Sequence, residues 1–179
     1  MTYFENQGSR LYYEEKGQGE PLIFLHGAAM DVRQWKTQAG YFSKKYRVIM
    51  LDARGHGKSS LPSGKVSPNV FWQDVIGMLD HLDIESAVIC GLSMGGHVAV
   101  QTAINAQERV KGLILIGTPY TNRFNTFERL VMPINRFSQK LMPMKWIAWC
   151  IAAGLGNSSP EVKQYFRDVV GSMDHDVYN

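Results

Sequence analysis

Residues 86–96 read Ser86-Ala87-Val88-Ile89-Cys90-Gly91-Leu92-Ser93-Met94-Gly95-Gly96, and this stretch decides the fold. Ser86–Cys90 is a short apolar run without polar alternation, as in a strand buried on both faces. Met94–Ala106 is rich in small residues and reads as a helix lying close to a sheet. Between them stands G-x-S-x-G, and a strand that turns sharply into a helix is the setting this pattern requires. At such a bend the central residue is held in a strained conformation with its side chain projecting past the sheet. The residues two before and two after press on neighbouring backbone, so Gly91 and Gly95 are expected to have no room for a side chain. Ser93 is therefore a candidate nucleophile, with the Met94 amide at the helix start facing a developing negative oxygen. The bland alternative is that Ser93 caps the helix.

Outward from this bend, apolar runs alternate with amphipathic segments, which implies a parallel sheet with helices on its faces. Leu11–Glu15 is strand-like. Pro21–Leu25, Arg47–Leu51 and Gly112–Ile116 are further buried-type strands. Phe71, Val75, Met78, Leu79 and Leu82 fall on one helical face, with Asp74 and Asp80 off it. After Thr118 the period changes. Residues 121–179 are Met-, Trp- and Phe-rich, with Pro133 and Pro143 interrupting, and end in an amphipathic helix over Glu161–Ser172. The expected organisation is an α/β core over residues 1–120 and a helical cap over 121–179.

Two more polar segments follow strands. His26-Gly27-Ala28-Ala29 is a loop able to supply a second oxyanion amide, most simply from Ala28. His26 suits orienting that loop better than proton transfer. Asp52-Ala53-Arg54-Gly55-His56-Gly57-Lys58-Ser59 ends like a phosphate-binding loop, but Asp52 stands where that loop needs its first glycine, so nucleotide binding is rejected. The turn is expected to hold itself together, with Asp52 near Arg54.

The 179 residues are 45% apolar and 20% charged, which excludes disorder and a fibrous chain. Lys and Arg number 19 against 16 Asp and Glu, with no basic run, so nucleic acid is excluded as a partner. Leu141–Leu155 contains Lys145 and is shorter than the roughly 20 residues a bilayer span needs, so no membrane partner is expected. Two thiols, Cys90 and Cys150, and an opening Met1–Gln7 unlike a signal peptide lead us to expect a cytoplasmic protein. Neither metal-ligand spacing nor a dinucleotide-type glycine fingerprint is present, so no cofactor or metal is expected.

Phe24-Leu25-His26-Gly27, the Asp52–Ser59 turn and Gly91–Gly96, in that order and spacing, resemble the α/β-hydrolase superfamily. The closest feel is of small carboxylesterases, enol-lactone hydrolases and cofactor-free perhydrolases. The resemblance covers residues 10–120. It implies Ser93 as nucleophile, Met94 and Ala28 as oxyanion amides, and Gly91, Gly95, His26 and Gly27 as the residues shaping the site. It also implies a triad acid and histidine, each following a strand after the cap. Here no apolar strand followed by Asp or His comes after Gly117. His97 is read as packing, and an Asp168–His175 relay is set aside. The chain is thus expected to be the front two-thirds of a longer enzyme, its sheet completed by an oligomer or a second fragment. Met132, Met142, Met144, Trp146 and Trp149 either pack the cap or line a pocket. With no Arg or Lys cluster in view, the expected substrate is a small, fairly apolar ester or lactone. A truncated, non-catalytic binding protein, and perhydrolase or lyase chemistry on the same scaffold, are the alternatives.

Overall fold

The computed structural model describes residues 2–61, 69–118 and 142–172. The chain forms two compact units, Met1–Thr118 and Pro119–Asn179. In the first, six strands make one sheet in the order β1-β2-β4-β3-β5-β6. They are β1 (Thr2–Asn6), β2 (Ser9–Lys16), β3 (Glu20–Leu25), β4 (Tyr46–Leu51), β5 (Ala87–Leu92) and β6 (Val110–Ile116). The β1–β2 and β2–β4 pairs are antiparallel, and β4–β3, β3–β5 and β5–β6 are parallel. The sheet is therefore mixed and mostly parallel, and β1 is a strand that the apolar-run pattern does not reveal. β1 is half-exposed and joins β2 through a tight turn, Gln7-Gly8, both at positive φ.

Helices α1 (Lys36–Phe42), α2 (Val70–His81) and α3 (Met94–Asn105) flank the strands. One core layer gathers Ile23, Ile49, Ile89, Val75, Met78, Leu79 and Ala99. The other gathers Phe24, Trp35, Val48, Met50 and Cys90. The alternation of β3, β4 and β5 residues between the two layers is the period-2 geometry of a strand covered on both sides.

β6 is a buried-type strand left as an open edge, as expected where the sheet has no described strand beyond it. Its Gly-Leu-Ile-Leu-Ile sequence is as apolar as β3, yet Leu113, Ile114, Leu115 and Ile116 are 38–46% exposed. The reason is position: β6 is the last strand in the sheet order. Asp74 departs from expectation, because α2 buries it among Val70, Val75, Met78 and Leu79.

In the second unit, α4 (Met144–Gly154) and α5 (Pro160–Gly171) pack on each other, Gly171 coming against Ala148 and Lys145. Ser159 caps α5 through its hydroxyl, which accepts from Val162 N at 3.4 Å. Trp146 and Trp149 are more than half exposed, whereas Met144 is buried.

Candidate active site

The parallel strands β3, β4 and β5 all end on the same side of the sheet, and the three polar segments of the sequence follow those ends. Ser93 follows β5 with φ 50° and ψ −110°. A residue with a side chain occupies this backbone region at a cost of about 1–3 kcal/mol. Its hydroxyl makes no capping hydrogen bond to α3, so the helix-cap role is excluded. The bend is held from its backbone instead. Ser93 N donates to Ile116 O at 2.9 Å, and Ser93 O accepts from Gly96 N and His97 N at 3.0 and 3.2 Å. The α3 ladder thus begins at the Ser93 carbonyl, leaving the Met94 and Gly95 amides ahead of it.

Backbone crowding explains the flanking glycines. A Cβ on Gly91 would collide with the Gly95 carbonyl, and one on Gly95 with the carbonyls of Leu25 and His26. Gly96 meets the Thr118 side chain in the same way. The elbow is therefore pressed against both the end of β3 and the start of α3. A narrow, mostly apolar crevice beneath it is lined by His26, Phe71, Met94 and Val98, among others.

The loop after β3 is braced throughout. His26 is 1% exposed, its Nε2 accepts from Ala53 N at 2.9 Å, and its Nδ1 lies 2.7 Å from Gly27 O. Accepting at Nε2 puts the proton on Nδ1, which then donates to Gly27 O. Burial lowers the imidazole pKa to about 4, with the neighbouring His56 adding to the shift. His26 is thus a neutral ring with both nitrogens occupied. Met30 N also donates to Gly27 O, and Gly27 N donates to Gln34 Oε1 at 3.0 Å. Ala28 is exposed, and Ala29 takes φ 58°.

The Asp52–Ser59 turn is knitted differently from the expectation. Asp52 does not pair with Arg54. Its Oδ1 accepts from Val32 N at 2.7 Å and its Oδ2 from Lys58 N at 2.8 Å, and burial pushes its pKa up to about 6. Gly57 sits at φ 54°, and a Cβ there would run into that carboxylate, so both the backbone and the crowding call for glycine. Arg54 reaches Asp74 instead, Nε to Oδ2 at 2.9 Å and Nη2 to Oδ1 at 2.6 Å, and also donates to Ser9 Oγ at 2.7 Å and Asn6 O at 3.2 Å. Both partners are almost fully buried. Asn6 Nδ2 completes the set on Asp74 Oδ1 at 2.8 Å. A lone carboxylate inside the apolar stripe of α2 is the sequence sign of this pair, since a buried charge requires a partner. His56, also buried, lies 5.2 Å from His26 between ring centroids, and burial lowers its pKa.

Other chemistry-bearing residues are committed elsewhere. His81 stacks on Phe4 at 5.5 Å. Asp168 accepts from Gln164 on α5. No carboxylate hydrogen-bonds His97 among the described residues. Burial pushes the Cys90 thiol up to about 11, while Cys150 is exposed. His175 and Met132 lie outside the described residues. Among the described residues no group of three or more His, Cys, Asp or Glu is placed to hold a metal ion. No described helix is long and apolar enough to cross a membrane.

The sequence profile of the alpha/beta hydrolase fold matches residues 20–157. The chain belongs to that family. It is 40% identical over 114 residues to the 3-oxoadipate enol-lactonase 2 of Acinetobacter baylyi, a match covering 63% of this chain and 43% of that protein. It is 32% identical over 110 residues to the pimeloyl-[acyl-carrier protein] methyl ester esterase of Nitrosospira multiformis, covering 60% and 42%. Among solved structures, the enol-lactonase from Burkholderia xenovorans LB400 superposes with a TM-score of 0.85 at 27% identity, over 99% of this chain and 70% of that one. The chain spans less than half the length of the curated relatives it matches.

Proposed function

We propose that the complete protein hydrolyses a small, fairly apolar carboxylic ester or lactone through an acyl-enzyme on Ser93. Ser93 Oγ attacks the carbonyl carbon as a base takes its proton. The Met94 and Ala28 amides hold the oxyanion, and the carbonyl re-forms as the alkoxide leaves and is protonated. Water then attacks the acyl carbon and releases the acid and Ser93. The observation that carries this reading is the Ser93 backbone, bent to φ 50° with a hydroxyl that caps nothing. Names of relatives support the substrate class: an enol-lactonase and a methyl ester esterase share the matched region.

The general base and its acid are assigned to residues beyond these 179, where the resemblance puts them, each after a later strand; among the described histidines His26 and His56 are buried, His81 stacks on Phe4, and no carboxylate hydrogen-bonds His97. In the same reading the cap is residues 121–179, and further strands complete the sheet at β6. Ile114→Lys is then expected to cost the complete protein several kcal/mol by burying a charge, and little in the isolated 179-residue chain. We place the protein in the cytoplasm, where two free thiols persist.

The test is Ser93→Ala in the full-length protein, assayed on a simple aryl ester. Turnover should be abolished, and wild-type turnover would reject the assignment. A non-catalytic binding protein is the second reading, favoured by the lack of a described base for Ser93. It requires that a fluorophosphonate leave Ser93 unlabelled while an ester or lactone still raises Tm.

A further inference from the structure

Gly27 C=O and Ala28 N–H are the two ends of one rigid peptide plane, so whatever orients the carbonyl orients the amide. The carbonyl is held by His26 Nδ1 at 2.7 Å and Met30 N at 3.2 Å. That plane meets the preceding His26–Gly27 plane at the Gly27 Cα, where a Cβ would press on the flexible end of Leu92, 2.8 Å away. Glycine is the least restrained residue at such a joint. Pinning the near plane, His26–Gly27, is therefore left to an external group, and one is present: Gly27 N donates to Gln34 Oε1 at 3.0 Å.

Gln34 is itself well anchored. It lies on a single 3-10 turn, Val32–Trp35, between two buried side chains, Val32 and Trp35. Gln34 N donates to Asp31 O at 3.0 Å, and Val32 N is tied to Asp52 Oδ1 at 2.7 Å. The brace thus runs from the β4 turn through the 3-10 turn to the plane on the near side of Gly27.

We propose that Gln34 is a positioning residue for acyl transfer: it accepts the Gly27 amide and so holds the His26–Gly27 plane, the base from which the Gly27–Ala28 plane, held by its own carbonyl, presents the Ala28 N–H. This rests on the reading that Ser93 is the nucleophile and the Ala28 amide an oxyanion donor. Gln34 touches no reacting atom. What it contributes is an acceptor at one point, which glutamate shares and leucine lacks at similar volume.

The test compares wild type, Gln34→Leu, Gln34→Glu and Ser93→Ala in the full-length protein, using an aryl acetate and amide hydrogen exchange. Gln34→Leu should lower kcat by about 10- to 100-fold, the scale of a misplaced catalytic group, with KM nearly unchanged. Gln34→Glu should restore most of the rate, and exchange at the Gly27 amide should speed up only in Gln34→Leu. Wild-type kcat in Gln34→Leu, with Ser93→Ala dead, would overturn the role of Gln34 and leave the Ser93 reading standing. Equal losses of kcat and Tm in Gln34→Leu and Gln34→Glu would overturn it in favour of simple packing. Wild-type turnover in Ser93→Ala would remove both.

Discussion

Two turns stand at the ends of neighbouring parallel strands, and they are built on opposite plans. The turn after β4 carries four ionisable side chains, Asp52, Arg54, His56 and Lys58. The described contacts commit every one of them, Asp52 to two amides, Arg54 to Asp74, His56 to the Arg54 carbonyl and Lys58 to the Tyr12 hydroxyl. The turn after β5 carries one hydroxyl, strained and uncapped. A polar network of this kind fixes geometry, because its buried members, Asp52, Arg54 and His56, would be costly to strand in a dry interior. A reactive group has to be left with something undone. Residue chemistry alone would rank the first turn above the second, and hydrogen-bond accounting reverses that order.

The contrast can be broken from its stabilising side first. Asp74→Ala strands a buried guanidinium and should cost about 3–5 kcal/mol, read as a lowered denaturant midpoint. Gly95→Ala forces a Cβ into the Leu25 and His26 carbonyls, so a comparable loss is expected, together with loss of fluorophosphonate labelling. An unchanged midpoint in either variant would contradict the close packing of the two turns.

Acid titration sharpens the comparison. His26 has a folded pKa near 4, below its ordinary value near 6.5, so the unfolded chain binds more protons between those limits and stability rises with pH there. His56, also lowered, acts in the same sense. Asp52 has a folded pKa near 6, above the ordinary carboxylate range, so the folded chain binds more protons from pH 4 to 6 and stability falls with rising pH. The two opposing slopes offset each other in wild type. Asp52→Asn should expose the histidine slope, up to about 1.4 kcal/mol per pH unit for each proton, measured by denaturation at pH 4, 5 and 6. A parallel shift with no change of slope would sink the assignment of these protons.

The smallest effect is expected at the elbow. Ser93→Gly removes a Cβ from a left-handed backbone region and should stabilise the fold by about 1 kcal/mol while ending catalysis. A loss of stability would show that the bend is relaxed, and the case for a strained nucleophile would weaken with it.

Much of this was legible in the chain. Apolar runs at residues 21–25, 47–51, 86–90 and 112–116 located four of the sheet's six strands, because a strand buried on both faces has no polar alternation to hide it, and the strand-like Leu11–Glu15 located β2. Gly91 and Gly95 around Ser93 located the elbow, since close backbone approach leaves glycine as the residue that fits. The first strand was not legible, being half-exposed and paired only on one side.

Partnership was decided by tertiary structure alone. The sequence determined that Asp52 and Arg54 stand two residues apart, yet the fold sends one to backbone amides and the other to a carboxylate on α2, which is closer in space than in sequence. It determined that Leu113–Ile116 is as greasy as any core strand, and the resemblance already implied an open edge there, which the sheet order bears out. Composition and spacing record which groups the chain can afford to bury. Which of them meet depends on crossovers that bring residues dozens of positions apart into one hydrogen bond, and no local pattern encodes that distance.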